Sequence, residues 1–205
     1  MITCLIPAYN EEKNIENTIK SIINTNIFDE IIVIDDDSKD KTNLLIKNFI
    51  KDNKNIKLIK NKYNLGKTKS ILKGLKYSKG ELIVLIDADL RGLNKENLEK
   101  LISPVRNNEL DITIGSNIPF VLKRFSGLRC LKREVFDLLD KNKLKNSRYN
   151  LEEIINEAIK KFNLRAKYVK LNGVKNIHKI KKYGLINGIK LTLQMYFEIL
   201  KNFFY

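Results

Sequence analysis

Asp87 and Asp89 stand one residue apart directly behind the apolar run "ELIVLI" at 81 to 86, and Asp35, Asp36 and Asp37 follow a second such run, "EIIVI", at 30 to 34. Carboxylates brought close together repel unless a proton or a cation lies between them. A hard divalent ion such as Mg²⁺ relieves that repulsion, accepts oxygen ligands and keeps positions for substrate phosphates. Residues two apart on an extended chain face the same side, so Asp87 and Asp89 converge if the strand geometry persists to Asp89. Exposed turn acids would have the same composition. The run before them is apolar on both faces, as a central strand covered by helices must be, and this favours a ligand-holding role.

The elements that must position these acids alternate along the chain. "ITCLI" at 2 to 6 is a strand that Pro7 ends, because proline cannot donate to a ladder. From Asn10 the period changes to that of a helix, with Ile15, Ile19, Ile22 and Ile23 on one face and Glu11 and Glu12 in the first turn. After the strand at 30 to 34, Thr42, Leu45 and Phe49 line a second helix; a strand follows at 55 to 60, a helix at 66 to 78, and the strand that carries Asp87. Asn94 is placed to cap a helix holding Leu98, Leu101 and Ile102, before a strand at 111 to 115. Such alternation predicts an α/β fold, with ligands gathering beyond the carboxyl ends of the strands. Beyond Gly115 the pattern predicts a loop at 116 to 127 and a helix at 131 to 140, with Val135, Leu138 and Leu139 as core contacts. An Asn150 and Glu153 capping box and a short strand at 165 to 171 follow.

Composition bounds the partners. The chain has 205 residues, 43% of them hydrophobic, and 39 Lys plus Arg against 24 Asp plus Glu give a formal charge of +15. That hydrophobic share predicts a folded domain, so the charge is surface charge suited to phosphate-rich ligands, anionic membranes or nucleic acid. Compositional drift toward Lys, Asn and Ile would produce the same excess. Cys4 and Cys130 form no Cys-x-x-Cys pair, so they read as two small buried residues. The first residues lack the basic flank and cleavage site of a secretory signal, and a cytoplasmic setting is expected.

Four stretches in order carry a resemblance: "IPAYNEEKNI" at 6 to 15, "EIIVIDDDSKDKT" at 30 to 42, "NKYNLGKTKSILKGLKYSKGELIVLIDADL" at 61 to 90, and "LDITIGS" at 110 to 116. The sequence resembles the family 2 glycosyltransferases of GT-A fold, and among them the small transferases related to dolichyl- or polyprenyl-phosphate sugar synthases. The resemblance implies a mostly parallel central sheet flanked by helices. It further implies an inverting, metal-dependent transfer of sugar from a nucleoside-diphosphate donor, using Mg²⁺ or Mn²⁺. By position it assigns Pro7, Ala8, Tyr9 and Glu11 to the first nucleotide-binding loop, and Asp36, with Asp35 beside it, to the base of the nucleotide. Asp35 could instead orient its own loop. Gly66 and Lys67 fall where further donor contacts are made. Asp87 and Asp89 match the Asp-x-Asp of the family, with Asp89 foremost for the cation.

Downstream the resemblance is thinner. Arg129, Lys132 and Arg133 match an acceptor-side segment, and Glu152 matches an acid near the sugar. His178, the only histidine, stands where some GT-A enzymes bring a late histidine to the metal, although a lone histidine among lysines is ordinarily a surface or capping residue. Asp37 and Asn117 depart from the family pattern. The expected division is a catalytic domain over 1 to 183 and an amphipathic helix over 184 to 205. Lys190, Gln194, Glu198 and Lys201 form one side of that helix, suited to a membrane surface, the domain itself or a second subunit. The acceptor is open between polyprenyl phosphate at the inner face of the membrane and a glycan or small metabolite. A rival of another class is a non-catalytic nucleotide or nucleic-acid binding module. Scattered aromatic residues speak against nucleic acid, since stacking platforms need them regularly placed.

Overall fold

The computed structural model describes residues 1–116 and 126–176. The apolar runs become strands β1 (Ile2–Ala8), β2 (Glu30–Asp35), β3 (Ile56–Lys60) and β4 (Leu82–Leu85), alternating with helices α1 (Ile15–Ile23), α2 (Thr42–Asp52) and α3 (Lys67–Tyr77). After a short strand β5 (Leu90–Arg91) come α4 (Lys95–Arg106), β6 (Ile112–Ser116), β7 (Arg129–Lys132), α5 (Lys141–Asn146), α6 (Leu151–Lys161), β8 (Ala166–Lys170) and β9 (Lys175–Asn176). Seven strands form one sheet in the order β3-β2-β1-β4-β7-β6-β8, and β5 pairs separately with β9. Every pairing in the large sheet is parallel except those of β7, which runs against both β4 and β6.

The sheet separates two apolar layers. Ile15, Ile19 and Ile22 of α1, Ile46 of α2 and Leu98, Leu101 and Ile102 of α4 pack with Cys4, Ile6, Val33 and Val84 on one side. Ile71 of α3, Leu144 of α5 and Leu151, Ile154 and Ile155 of α6 pack with Leu5, Ile34, Ile83 and Leu85 on the other. Both faces of β4 are thereby covered, which is why its sequence is an unbroken apolar run. Side chains alternate along the strand, so Ile83 and Leu85 fix the face from which Asp87 projects, toward α3 and α6.

Several local expectations are corrected. Helix α1 starts at Ile15 rather than near Asn10, because Glu11 closes a turn instead, its carbonyl accepting from the N–H groups of Asn14 and Ile15 at 2.9 Å each. Asn94 does cap α4, its side chain accepting from the Asn97 N–H at 2.8 Å. The helix expected at 131 to 140 is instead the end of strand β7 and a 3₁₀ turn over Arg133–Leu138, and α5 begins only at Lys141. Cys130 and Leu131 fill the slot between β4 and β6, and that pairing overrides helical periodicity. Val135 and Leu139 are core residues as expected, whereas Leu138 is exposed. The capping box at Asn150 does not form: Asn150 makes no side-chain cap, its N–H donates to Ser147 Oγ at 2.9 Å, and Glu153 accepts from Asn156.

At the end of the sheet remote from the acids, Asp111 accepts from Lys132 Nζ at 3.0 Å and from Arg165 Nη2 at 2.8 Å, joining β6, β7 and the start of β8. The Arg165 hydrogen bond, with Lys132 helping, holds the Asp111 carboxyl well below the usual carboxylate range. A depressed folded-state value contributes stability that is complete above the unfolded value of about 3.9 and lost as pH falls toward the folded one. Asp111→Asn is therefore expected to cost about 2 kcal/mol at neutral pH, the worth of charge-assisted hydrogen bonds. The difference from the native protein should shrink below about pH 4 as unfolding is followed by urea titration. An offset that stays constant from pH 7 to pH 2 would refute the ion-pair account.

Candidate active site

The carboxyl ends of β1, β2, β3 and β4 lie along one edge, at the point where the chain order reverses around β1. Here an open α/β sheet leaves a crevice for ligands. The first two loops are tied to each other. Asn10, at φ 54°, donates its N–H to Ser38 Oγ at 3.0 Å and accepts from the Lys39 N–H at 2.8 Å, while the Glu11 N–H donates to Thr42 Oγ1 at 2.7 Å. Pro7 does not end β1 as expected: the strand runs through it to Ala8, pairing Pro7 with Ile34 and Ala8 with Asp35, because a parallel ladder there does not need the missing N–H. Ala8 O accepts from the Asp36 N–H at 2.8 Å, and Tyr9 stands partly exposed above them. Glu11 is buried and accepts from Asn14 Nδ2 at 3.0 Å, so its carboxylate braces the turn into α1.

Asp35 and Asp36 are both buried and both engaged. Asp35 accepts from the Ser38 N–H and from Asn43 Nδ2, each at 2.9 Å, which is the loop-orienting role left open for it. Asp36 accepts from Asn61 Nδ2 at 2.7 Å and from the N–H groups of Leu65 and Gly66 at 2.8 Å each. Whatever it does for a nucleotide, Asp36 therefore holds the loop between β3 and α3 in place. The departure at Asp37 is accommodated by a left-handed backbone, φ 66°, which Asp tolerates better than most residues.

Beyond that loop lies the strongest electrostatic feature of the edge. Lys67, the first residue of α3, places its Nζ 2.6 Å from Asp87 Oδ1 and 2.6 Å from Glu152 Oε1. Three residues separated widely in sequence thus meet, and all three are among those assigned by resemblance. Burial alone would lower the Lys67 ammonium, but Asp87 and then Glu152 outweigh it and hold the group well above its ordinary value. The lysine is therefore a permanent cation between two carboxylates. Asp89 is placed differently from expectation. Strand β4 ends at Leu85, the Leu90 N–H returns to Asp87 O at 3.2 Å, and Ala88 and Asp89 lie in a turn. The alternation that would align Asp89 with Asp87 stops before reaching it, and Asp89 sits partly exposed on that turn.

Sequence reasoning did not single out three supports of this arrangement. Asn61 links Asp36 to Ser70 of α3, donating to Ser70 Oγ at 2.9 Å. Arg148 packs on Gly66, where an added Cβ would come within 2.8 Å of its Cβ, and its carbonyl accepts from the Thr68 N–H at 2.9 Å. This contact docks the segment before α6 onto the start of α3 and so brings Glu152 to Lys67. Gly127 backs directly onto the pair: a Cβ there would lie 2.5 Å from Lys67 Nζ and 2.7 Å from Asp87 Oδ2. Asn61 was findable, since it follows β3 at the same edge as the acids; Arg148 and Gly127 carry no local sequence signal.

Of the three acceptor-side cations, Lys132 and Arg133 are corrected. Arg129 is 0% exposed at the start of β7, paired with Leu85 at the end of that strand nearest the acids, and donates to Ser126 O and Asn156 Oδ1 at 2.9 Å each. Because β7 runs antiparallel to β4, each later residue moves away from the acids. Lys132 accordingly meets Asp111, and Arg133 donates to Gly80 O at 2.7 Å and Ser78 Oγ at 2.6 Å, at the opposite edge of the sheet. His178, Asn117, most of the loop expected at 116 to 127, and the helix expected at 184 to 205 lie outside the described residues.

Asp87, Asp89 and Glu152 offer oxygen donors, which suit Mg²⁺ or Mn²⁺. Among the described residues no three His, Cys, Asp or Glu side chains gather closely enough to hold a metal by themselves. A cation here would be completed by substrate oxygens, water or residues outside those described.

Comparison with known proteins agrees with this architecture. The chain is 34% identical over 129 residues to a dolichyl-phosphate beta-glucosyltransferase of Trichomonas vaginalis, covering 56% of this chain and 39% of that protein. It is 34% identical over 133 residues to a UDP-N-acetylglucosamine–dolichyl-phosphate N-acetylglucosaminyltransferase of Methanococcus voltae, covering 58% and 52%. The chain thus spans about half or less of the length of these relatives. In structure it is similar to glucosyl-3-phosphoglycerate synthase of Mycobacterium tuberculosis, solved with Mn²⁺, UDP and glucosyl-3-phosphoglycerate, at a TM-score of 0.73 and 20% identity over 86% of this chain and 72% of that one. That likeness shows the GT-A fold. With residues 3–171 matching glycosyl transferase family 2 across the sheet, both loops and the acids at its edge, the chain belongs to that family.

Proposed function

We propose that the protein is an inverting, metal-dependent glycosyltransferase that moves a sugar from a nucleoside-diphosphate donor to a polyprenyl phosphate. The observation that carries this reading is the meeting of Lys67 with Asp87 and Glu152 at the edge where Asp35, Asp36 and Asp89 also lie. The relatives named for dolichyl-phosphate acceptors support the acceptor class. The loops after β1 and β2, with Pro7, Ala8 and Tyr9, take the nucleotide; Gly66 and Lys67 lie toward the diphosphate and sugar. Asp89, with Asp87, holds Mg²⁺ or Mn²⁺, and when bound the ion supplies Lewis-acid stabilisation of charge on the departing diphosphate. Lys67 fixes the distance between Asp87 on the donor side and Glu152 on the acceptor side. An acceptor phosphate is already ionised and asks no residue to remove a proton, whereas a hydroxyl acceptor would need a general base.

His178 belongs to the same proposal. It is proposed as a further ligand of the cation. Attachment to the inner face of a membrane is likewise proposed; among the described residues no helix is long and apolar enough to cross one.

The test is a panel of UDP- and GDP-sugars with and without Mn²⁺, followed by thermal shift and by transfer to polyprenyl phosphate, a glycan and a soluble phosphorylated acid. Stabilisation by one donor that requires Mn²⁺, with product only on the lipid phosphate, is expected. Stabilisation by no donor would overturn the reading; salt-sensitive binding of polyphosphate or RNA that survives Asp89→Asn would favour the binding-module rival.

A further inference from the structure

A lipid-borne acceptor has to reach the carboxyl edge of the sheet from a bilayer, and one side of that edge has the chemistry of a membrane-facing rim. Two segments build it: residues 60–67 after β3 and residues 141–149 before α6. Together they contain six lysines, one arginine and no Asp or Glu; Lys67 is engaged by Asp87 and Glu152 and Lys143 by Glu157, which leaves four lysines and the arginine for the rim. Arg148 joins them, its Nη2 donating to the Asn64 side-chain oxygen while its guanidinium lies over the Tyr149 ring, 6.0 Å from the centroid. Tyr63, next to Asn64, is 66% exposed, and Tyr149 is 41% exposed. Lys62, Lys145 and Arg148 are exposed as well. Packing of Arg148 on Gly66 makes the rim preformed rather than assembled on contact. The neighbouring side of the edge differs, for there Glu12, Asp37 and Asp40 mix with Lys39 and Lys41.

We propose that the Tyr63–Arg148–Tyr149 rim is the surface that seats the protein on an anionic lipid bilayer. Tyrosine rings, with an apolar body and a polar tip, settle at the headgroup level, and lysine and arginine are drawn to the negative surface beside them. This orientation would open the crevice between Asp36 and Glu152 toward the membrane. The inference rests on the lipid-phosphate reading of the acceptor.

The chain contains no tryptophan, so a single one reports its own surroundings. Tyr63→Trp, Tyr149→Trp and, at the far end of α3, Tyr77→Trp give three full-chain probes; Tyr77 is 59% exposed and lies on the opposite edge of the sheet. Each is mixed with vesicles of phosphatidylcholine alone or with phosphatidylglycerol, free of polyprenyl phosphate, and read by emission and by quenching with brominated lipid. With anionic vesicles the two rim probes should shift to the blue and be quenched, while the Tyr77→Trp probe keeps its emission in water. Silent rim probes on a chain that co-sediments with vesicles would overturn the proposal, as would equal quenching at Tyr77→Trp, failure to sediment, or a response of the rim probes to single-stranded RNA but not to vesicles. Donor stabilisation in the same variants separates the outcomes: silent rim probes with intact Mn²⁺-dependent donor binding sink the surface and leave the transferase reading standing.

Discussion

Asp89→Asn is expected to lower sugar transfer by about 10²- to 10³-fold while leaving the melting temperature of the unliganded protein nearly unchanged. The magnitude follows from the several kcal/mol that a divalent ion contributes to a developing phosphate charge, with each 1.36 kcal/mol worth tenfold in rate. The small stability effect follows from position: Asp89 sits partly exposed in a turn beyond the end of β4, outside both apolar layers. Thermal shift supplies a readout independent of turnover, since Mn²⁺ should stabilise the native protein with donor and lose that effect in the variant. Asp36→Asn is the contrasting control. It perturbs an acceptor for the Leu65 and Gly66 N–H groups, so its effect should be on unfolding as well as on donor binding. Equal Mn²⁺-dependent stabilisation of native protein and Asp89→Asn would remove Asp89 from the cation.

The half of the chain up to Ser116 was legible in sequence because its elements are local. Each apolar run of four to seven residues is a strand, each 3.6-residue pattern a helix, and the acids stand where those runs stop. Boundaries were misjudged where a tertiary bond decides them, as at Glu11, whose turn is fixed by Thr42 at the start of α2. Beyond Gly115, among the described residues, the reading weakened most at strand β7. Its four residues reverse direction between two parallel neighbours, and nothing in "RCLK" announces an antiparallel insertion. That reversal is what carried Lys132 and Arg133 away from the site. Glu152 came to the site through the resemblance, while the contact that makes its position physical, Arg148 on Gly66, joins residues more than eighty apart and has no local signature.

Lys67→Met tests the bridge on which this geometry depends. Removing the ammonium leaves Asp87 and Glu152 facing one another at the crevice with no cation between them, and a half-buried pair so broken costs about 2–3 kcal/mol, below the figure for fully buried pairs because Lys67 keeps 23% exposure. Turnover should fall with it, since the two carboxylates separate and neither keeps its distance to the donor. Adding Glu152→Gln to Lys67→Met removes one charge of the repelling pair. The double variant should therefore recover part of the lost stability, a coupling of about 1 kcal/mol, without recovering activity. Urea midpoints at constant m, compared across the native protein, both single variants and the double, give that coupling directly. The raised ammonium also sets a sign: its contribution is complete below the unfolded value of about 10.4 and is lost only as pH rises beyond it, so the cost of Lys67→Met should be flat from pH 6 to 9. A cost that vanishes within that window, or strictly additive single variants, would show that Lys67 does not hold the two carboxylates together.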